Sequence, residues 1–319
     1  MNMYVLSNAI RHWFKKGDEI IVTNQDHEAN VGAWRRYAEH GIHVKEWKLN
    51  PKTGELEIHK LKELITKKTR LVCVTHCSNI VGTINDIKEI NKIIHKAGAY
   101  SVFDGVSFMP HSIIDVKNLD IDFYAFSLYK TYGPHLGLLY GKRKLLKMAK
   151  NQNHSFLKND IPYTLNPGGA NHEETAALSG ITDYYERIYN YHFGNDKMNL
   201  HQKAKKVFKL FYQQEEKLSK HVLECLLAKK DIKVIGRHDH DRSLRAPTIS
   251  FISRNRKSLE IVKLLLKYKI AVRNGDFYAW RCLKALGINT NDGVVRISIV
   301  HYNTENEVER LTNALNEII

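Results

Sequence analysis

From Gly17 to about Gly141 the chain alternates between short apolar runs and amphipathic stretches. Apolar runs fit strands at Glu19–Asn24, Ile42–Leu49, Arg70–Thr75, Tyr100–Phe103, Ile121–Phe126 and Gly137–Gly141. Between them, Ala29–His40, His59–Thr66 and Asp86–Ala97 carry helical periodicity. Strands apolar on both faces and separated by helices predict a mostly parallel sheet covered on both sides, an α/β fold. Ligands of such sheets bind at the carboxyl ends of the strands.

The second half reads differently. Asn171–Asn190 and Lys197–Lys229 are long helical stretches. Strands at Ile232–Ile235, Thr248–Ile252, Ile270–Arg273 and Val294–Ile299 follow, with helices at Lys257–Tyr268 and from Thr304 onward. This predicts a large domain over residues 1–200 and a smaller α+β domain over 201–319. Met1–Lys16 reads as a helix already in progress, with Tyr4, Val5, Ile10 and Phe14 on one stripe. No capping residue precedes it, so the chain is expected to open inside its first domain.

Composition narrows the function classes. The 319 residues carry 49 Lys+Arg against 34 Asp+Glu, a formal charge of +15. A polyanion-binding arm or domain would concentrate that excess. Instead residues 1–160 hold 24 basic and 16 acidic groups, and residues 161–319 hold 25 and 18. Four cysteines in a chain this long are not a disulfide framework. No stretch reads as a signal peptide, and no apolar run is long enough to span a bilayer. The expected compartment is the reducing cytoplasm.

No GxxxxGKS/T, no GxGxxG after a strand and no GxSxG occurs. The residues with chemistry lie where first-half strands end: His27 in QDHEAN, Asn79 in THCSNIVG, Asp104 closing YSVFD and Lys130 in FSLYK. Singly, each has an ordinary reading as a turn former, a helix cap or a solvated charge. Together they converge on one rim of one sheet. They are the parts a pyridoxal phosphate (PLP) site needs: a lysine for the Schiff base, a carboxylate for the ring nitrogen and a flat side chain for the ring face. Arg296 in VVRISI is the candidate for holding a substrate carboxylate.

These stretches resemble the class V aminotransferases of PLP fold type I, and within them the cysteine desulfurase/selenocysteine lyase-like group. The matching segments are GDEIIVTNQDHEANVGAW, THCSNIVGTIND, FDGVSFMPH, FSLYKTYGPHLGLLY, LNPGGANHEETAAL, AVRNGDFY and VVRISIVHYNTENEVERL, in the family's order. The resemblance implies PLP as cofactor, a small amino acid as substrate and a homodimer. It makes Lys130 the Schiff-base lysine, Asp104 the partner of the ring nitrogen and His27 the ring-stacking residue. It puts Asn79 near the cofactor's phenolic oxygen or the substrate carboxylate. Ser127 would help hold the phosphate, and Arg296 the carboxylate.

The sequence departs from the family at three places. The family carries an upstream segment with a Gly/Thr turn that cradles the phosphate, which predicts an N-terminally truncated chain. Tyr278 stands where desulfurases of the closest type place their nucleophilic cysteine, which argues against sulfur abstraction. Cys282, nearby in WRCLKAL, reads as a buried small hydrophobe on a helix face. Ser107 stands where a Gln usually meets the phenolic oxygen, and Gly169 replaces a hydroxyl residue in LNPGGAN.

Other signals are plainer. His238–Asp241 reads as a polar loop, since zinc takes three or four ligands and no third one is near. Lys142–Lys150 reads as a helix with one buried side, and Tyr184, Tyr185, Tyr189 and Tyr191 as core or interface. Two further functions stay open: a truncated, inactive homologue, and a basic nucleic-acid-binding protein.

Overall fold

The computed structural model describes residues 1–158, 160–194 and 196–319. Helix α1 (Asn2–Ile10) leads into β1 (Glu19–Thr23), α2 (Glu28–Arg35), β2 (His43–Trp47), α3 (Ile58–Leu64) and β3 (Thr69–Thr75). Then follow α4 (Ile87–Lys96), β4 (Tyr100–Asp104), β5 (Phe123–Ser127), β6 (Gly137–Gly141) and α5 (Arg143–Met148). Among the described residues these strands form a six-stranded sheet in the order β2-β1-β3-β4-β5-β6, parallel except for β6.

Period-two alternation divides the side chains of this sheet between two layers. Ile21, Val72, Val74, Phe103 and Tyr124 point to one face and pack against Leu61 of α3 and Ile87, Ile90 and Ile94 of α4. Their neighbours Ile20, Val22, Leu71, Cys73, Val102 and Phe123 point to the other. There they meet Leu6, Ala9 and Ile10 of α1 and Val31 and Trp34 of α2. Every strand of the central trio is therefore apolar at consecutive positions, which is why the sequence reads as unbroken apolar runs.

The chain continues through α6 (Ile161–Thr164), α7 (His172–Ala176), α8 (Ser179–Phe193) and α9 (Leu200–Leu227). Next come β7 (Ile232–Val234), β8 (Thr248–Ser253), α10 (Ser258–Lys267), β9 (Arg273–Gly275), α11 (Trp280–Ala285), β10 (Val294–Ser298) and α12 (Glu305–Ile318). Among the described residues β7-β8-β10-β9 form an antiparallel sheet. One face of it buries Leu218, Val222 and Leu226 of α9 with Leu265 of α10 and Leu311 and Leu315 of α12. Thr304 caps α12 in a capping box, accepting from Glu307 N while the Glu307 carboxylate accepts from Thr304 N. Thr304→Ala is expected to lower stability by about 1 kcal/mol, read from the urea midpoint.

Several sequence-based boundaries shift for physical reasons. α1 ends at Ile10, and a 3-10 turn over Arg11–Trp13 carries Trp13 and Phe14 onto the apolar layer below. The helix expected over Asn171–Asn190 is two, because i→i−3 bonds at Leu178, Gly180 and Ile181 replace the α pattern between α7 and α8. The strand expected at Ile270–Arg273 begins only at Arg273, since Ile270 and Val272 turn into the core instead of joining a ladder. β6 runs antiparallel because no crossover helix separates it from β5.

Other readings find direct counterparts. Cys282 lies on α11 and is fully buried in the core. Asp239 and Asp241 turn their carboxylates onto Arg237 and onto Ser243. Tyr189 is buried, and Tyr184 and Tyr185 pack with Phe208 and Phe211, whereas Tyr191 is exposed. No helix among the described residues is long and apolar enough to cross a membrane.

Candidate functional site

A cavity of about 130 Å³ lies at the carboxyl ends of β3, β4 and β5. It is lined by His27, Asn79, Asp104, Ser107, Ser127 and Lys130, together with Thr75, Cys77 and Tyr129. The fold thus brings six of the seven sequence-derived site residues to one cavity. The seventh, Arg296 on β10, reaches its edge, where Nη1 donates to the Asn79 carbonyl at 3.1 Å.

Each side chain is placed by local chemistry. Asp104 is the last residue of β4, and its Oδ1 accepts from Val106 N at 2.8 Å. A Cβ on Gly105 would lie 2.1 Å from the Tyr124 hydroxyl oxygen, so only glycine lets the chain turn here. Burial raises the Asp104 carboxyl above the usual range, opposed by the Val106 N–H and the Lys130 charge. Lys130 sits on a 3-10 turn whose Leu128 carbonyl accepts from Thr131 N, Gly133 N and the Thr131 hydroxyl. Tyr132, at φ 67, completes the bend. Burial and then the Arg296 charge hold the lysine below its usual value. A lowered lysine presents more free amine, the nucleophilic form.

His27 is the N-cap of α2, and its Nδ1 accepts from Ala29 N at 3.0 Å. A backbone N–H can only donate, so the proton of the neutral ring is on Nε2. Burial, then Lys130 and Arg296, depress this imidazole to about 4. It is therefore neutral at physiological pH. Asn79 sits in a loop closed by Ser78 N to Thr83 O, and its Nδ2 donates to the Phe277 carbonyl at 2.9 Å.

Several polar atoms here lack partners among the described residues. Asn79 Oδ1 and Arg296 Nε are buried and unpaired. Lys130 Nζ forms no hydrogen bond or ion pair and lies 6.0 Å from the Tyr129 ring centroid. Asp104 Oδ2 likewise has no donor. Buried polar groups are normally satisfied, so a cluster of unpaired donors and acceptors around one cavity fits a polar group with both functions. A ring with a protonatable nitrogen and an aldehyde is such a group.

The sequence reading missed residues that matter here. Thr75 and Cys77 line the cavity at the end of β3, a position the strand-end rule signals. Asp26 is fully buried beneath His27, accepting from Thr23 Oγ1 and from Asn30 Nδ2. His76 stacks on Phe108 with ring centroids 3.5 Å apart and bonds to the Tyr124 hydroxyl. Phe277 is 198 positions from Asn79, and no local signal announces their contact. The LNPGGAN segment contributes nothing to the cavity lining.

The chain is similar over nearly its whole length to known proteins of one family. The profile described as aminotransferase class-V matches residues 1–311. The chain is 38% identical over 311 residues to the aminotransferase-like protein FGM3 of Gibberella zeae, spanning 95% of this chain and 73% of that protein. It is 30% identical to a cysteine desulfurase of Serratia proteamaculans, across 97% of this chain and 73% of that protein. The solved apo structure of a cysteine desulfurase from Thermococcus onnurineus NA1 superposes with a TM-score of 0.85 at 26% identity, over 100% of this chain and 76% of the other. The chain belongs to the class V aminotransferase family.

Proposed function

We propose that the chain is a PLP-dependent transferase or lyase acting on a small amino acid. The convergence of Lys130, Asp104, His27 and Asn79 on one cavity with unpaired polar atoms carries this reading. When bound, the coenzyme supplies an electron sink for charge developing at the substrate α-carbon. Everything else falls to the protein. Lys130 Nζ holds the coenzyme between turnovers, then takes and returns the proton on the α-carbon. Asp104, with one oxygen fixed by Val106 N, offers the other to the ring nitrogen. Neutral His27 would lie against the coenzyme ring, and Ser107 and Ser127 would offer it hydroxyls from the cavity wall. Arg296 pairs with the substrate carboxylate.

Sulfur abstraction is not part of the proposal. Tyr278 occupies the position of the expected thiol. Cys282 is fully buried, and burial pushes its thiol to about 12. A thiolate nucleophile needs the opposite environment. The division into domains near residue 200 belongs to the same reading, supported by the antiparallel sheet's own apolar cluster, while α11 packs into the layer of the first sheet. So does a homodimer, which the resemblance to the family implies and the mass in solution would test.

The test is covalent capture. Incubation with PLP, borohydride reduction and peptide mass spectrometry are expected to place the label on Lys130. No uptake by the folded chain, or a label spread over surface lysines, overturns the proposal and favours an inactive homologue.

A further inference from the structure

Arg296 is a mostly buried cation that no carboxylate answers among the described residues. Nη1 bonds only to the Asn79 carbonyl, and Nε is buried without a partner. Burial lowers its pKa to about 10, so it stays charged at neutral pH. Its guanidinium lies over the Phe277 ring, with Cζ 3.7 Å from the ring centroid. This contact covers one flat face of the group and leaves in-plane N–H donors, Nε among them, without a protein acceptor among the described residues.

The backbone is bent to make that contact. In the β9–β10 ladder Gly275 lies opposite Val294 and Arg273 opposite Arg296. Straight continuation past Gly275 would carry residue 277 toward position 292, about 13 Å along the strand from Arg296. Instead Phe277 at φ 50 and Tyr278 at φ 58 both adopt the left-handed region that bulky side chains avoid. Three hydrogen bonds hold the bend: Asn79 Nδ2 to Phe277 O at 2.9 Å, Glu28 N to Tyr278 O at 2.7 Å, and Tyr278 N to Asp276 Oδ1 at 3.0 Å. Asn79 closes the circuit, because its carbonyl accepts from Arg296 while its amide grips Phe277. Strained backbone of this kind persists where the surroundings over-determine it, and it collects at functional sites.

We propose that Phe277 is the positioning residue for Arg296, its ring holding the guanidinium plane in the orientation that receives a carboxylate. This rests on the reading of Arg296 as the carboxylate binder. The ring neither touches the reacting atoms nor moves a proton. Its removal weakens capture and leaves the chemical step alone.

The test uses Phe277→Leu, which keeps apolar bulk but removes the aromatic face, and Phe277→Tyr, which keeps that face. In the full chain, the Arg296 Nε–H resonance is expected upfield, shifted by the ring, and slow to exchange. Both features are expected to vanish in F277L and persist in F277Y. Titration with acetate is expected to move that resonance in the wild type and to need about tenfold more acetate in F277L. Once a turnover assay exists, KM rises by the same factor with kcat unchanged. A resonance unaltered in F277L, or equal acetate affinity, overturns the proposal. A resonance that F277L alters but that acetate moves in neither protein overturns the carboxylate role of Arg296 and this inference with it. PLP capture at Lys130 would be untouched by that result.

Discussion

Lys130→Ala is expected to abolish the protein-bound visible band that added PLP gives with the wild type and to reduce turnover by about a thousandfold or more. The physical case begins with the turn. Leu128 O gathers three donors, so the 3-10 bend that carries the lysine is set by the backbone and by Thr131. The lysine itself donates to nothing among the described residues, so removing its amine breaks no hydrogen bond seen in the fold. Stability is therefore expected to change by no more than about 1 kcal/mol, and a thermal melt beside the assay checks this. Among the described residues no other amine replaces it within the cavity, since Lys130 is the one lysine in the lining. Burial and the Arg296 charge make its proton easier to lose, which a distant surface lysine does not reproduce. Full retention of the band, or more than a tenth of the activity, sinks the assignment.

Asp26→Asn is expected to stabilise the chain at high pH and not at low pH. Asp26 is fully buried, and burial, reinforced by the Asp104 carboxylate, lifts it from the usual carboxylate value to about 7. The folded state therefore holds a proton that the unfolded chain has already released. Its stabilising contribution is complete below the unfolded value and is lost as pH rises toward 7. Over that window the loss amounts to at most about 4 kcal/mol. Asparagine has the same shape and no charge, and Thr23 and Asn30 remain beside it. The gap in urea midpoint between D26N and the wild type is thus expected to widen from pH 4 to pH 7.5. A gap constant across that range would show that Asp26 ionises normally.

The legible parts of this protein are local ones. FSLYKTYGP announces a lysine on a tight turn because strand, turn and glycine-proline stop are consecutive. Asp104 and His27 follow strand ends and so fall on the ligand rim. The apolar runs of β1, β3 and β4 are legible because both faces are covered, so consecutive central positions are apolar. Asp26 was not legible. In QDHEAN it looks like one more polar turn residue, and only the packing of α2 on β1 and β3 seals it from water. The split between α7 and α8 and the late start of β9 were hidden for the same reason: local periodicity does not say which layer a half-apolar segment meets.

The amino-acid order alone determined the alternation of strands and helices, the covered sheet and the residue types at its rim, because these depend on neighbours a few positions apart. Tertiary structure decided the rest. It sealed Asp26 from water and joined Asn79 to Phe277 and Arg296 from opposite halves of the chain. Contacts separated by 198 and 217 positions leave no periodic trace in a sequence. They arise only when two sheets, each burying its own apolar face, bring their strand ends together.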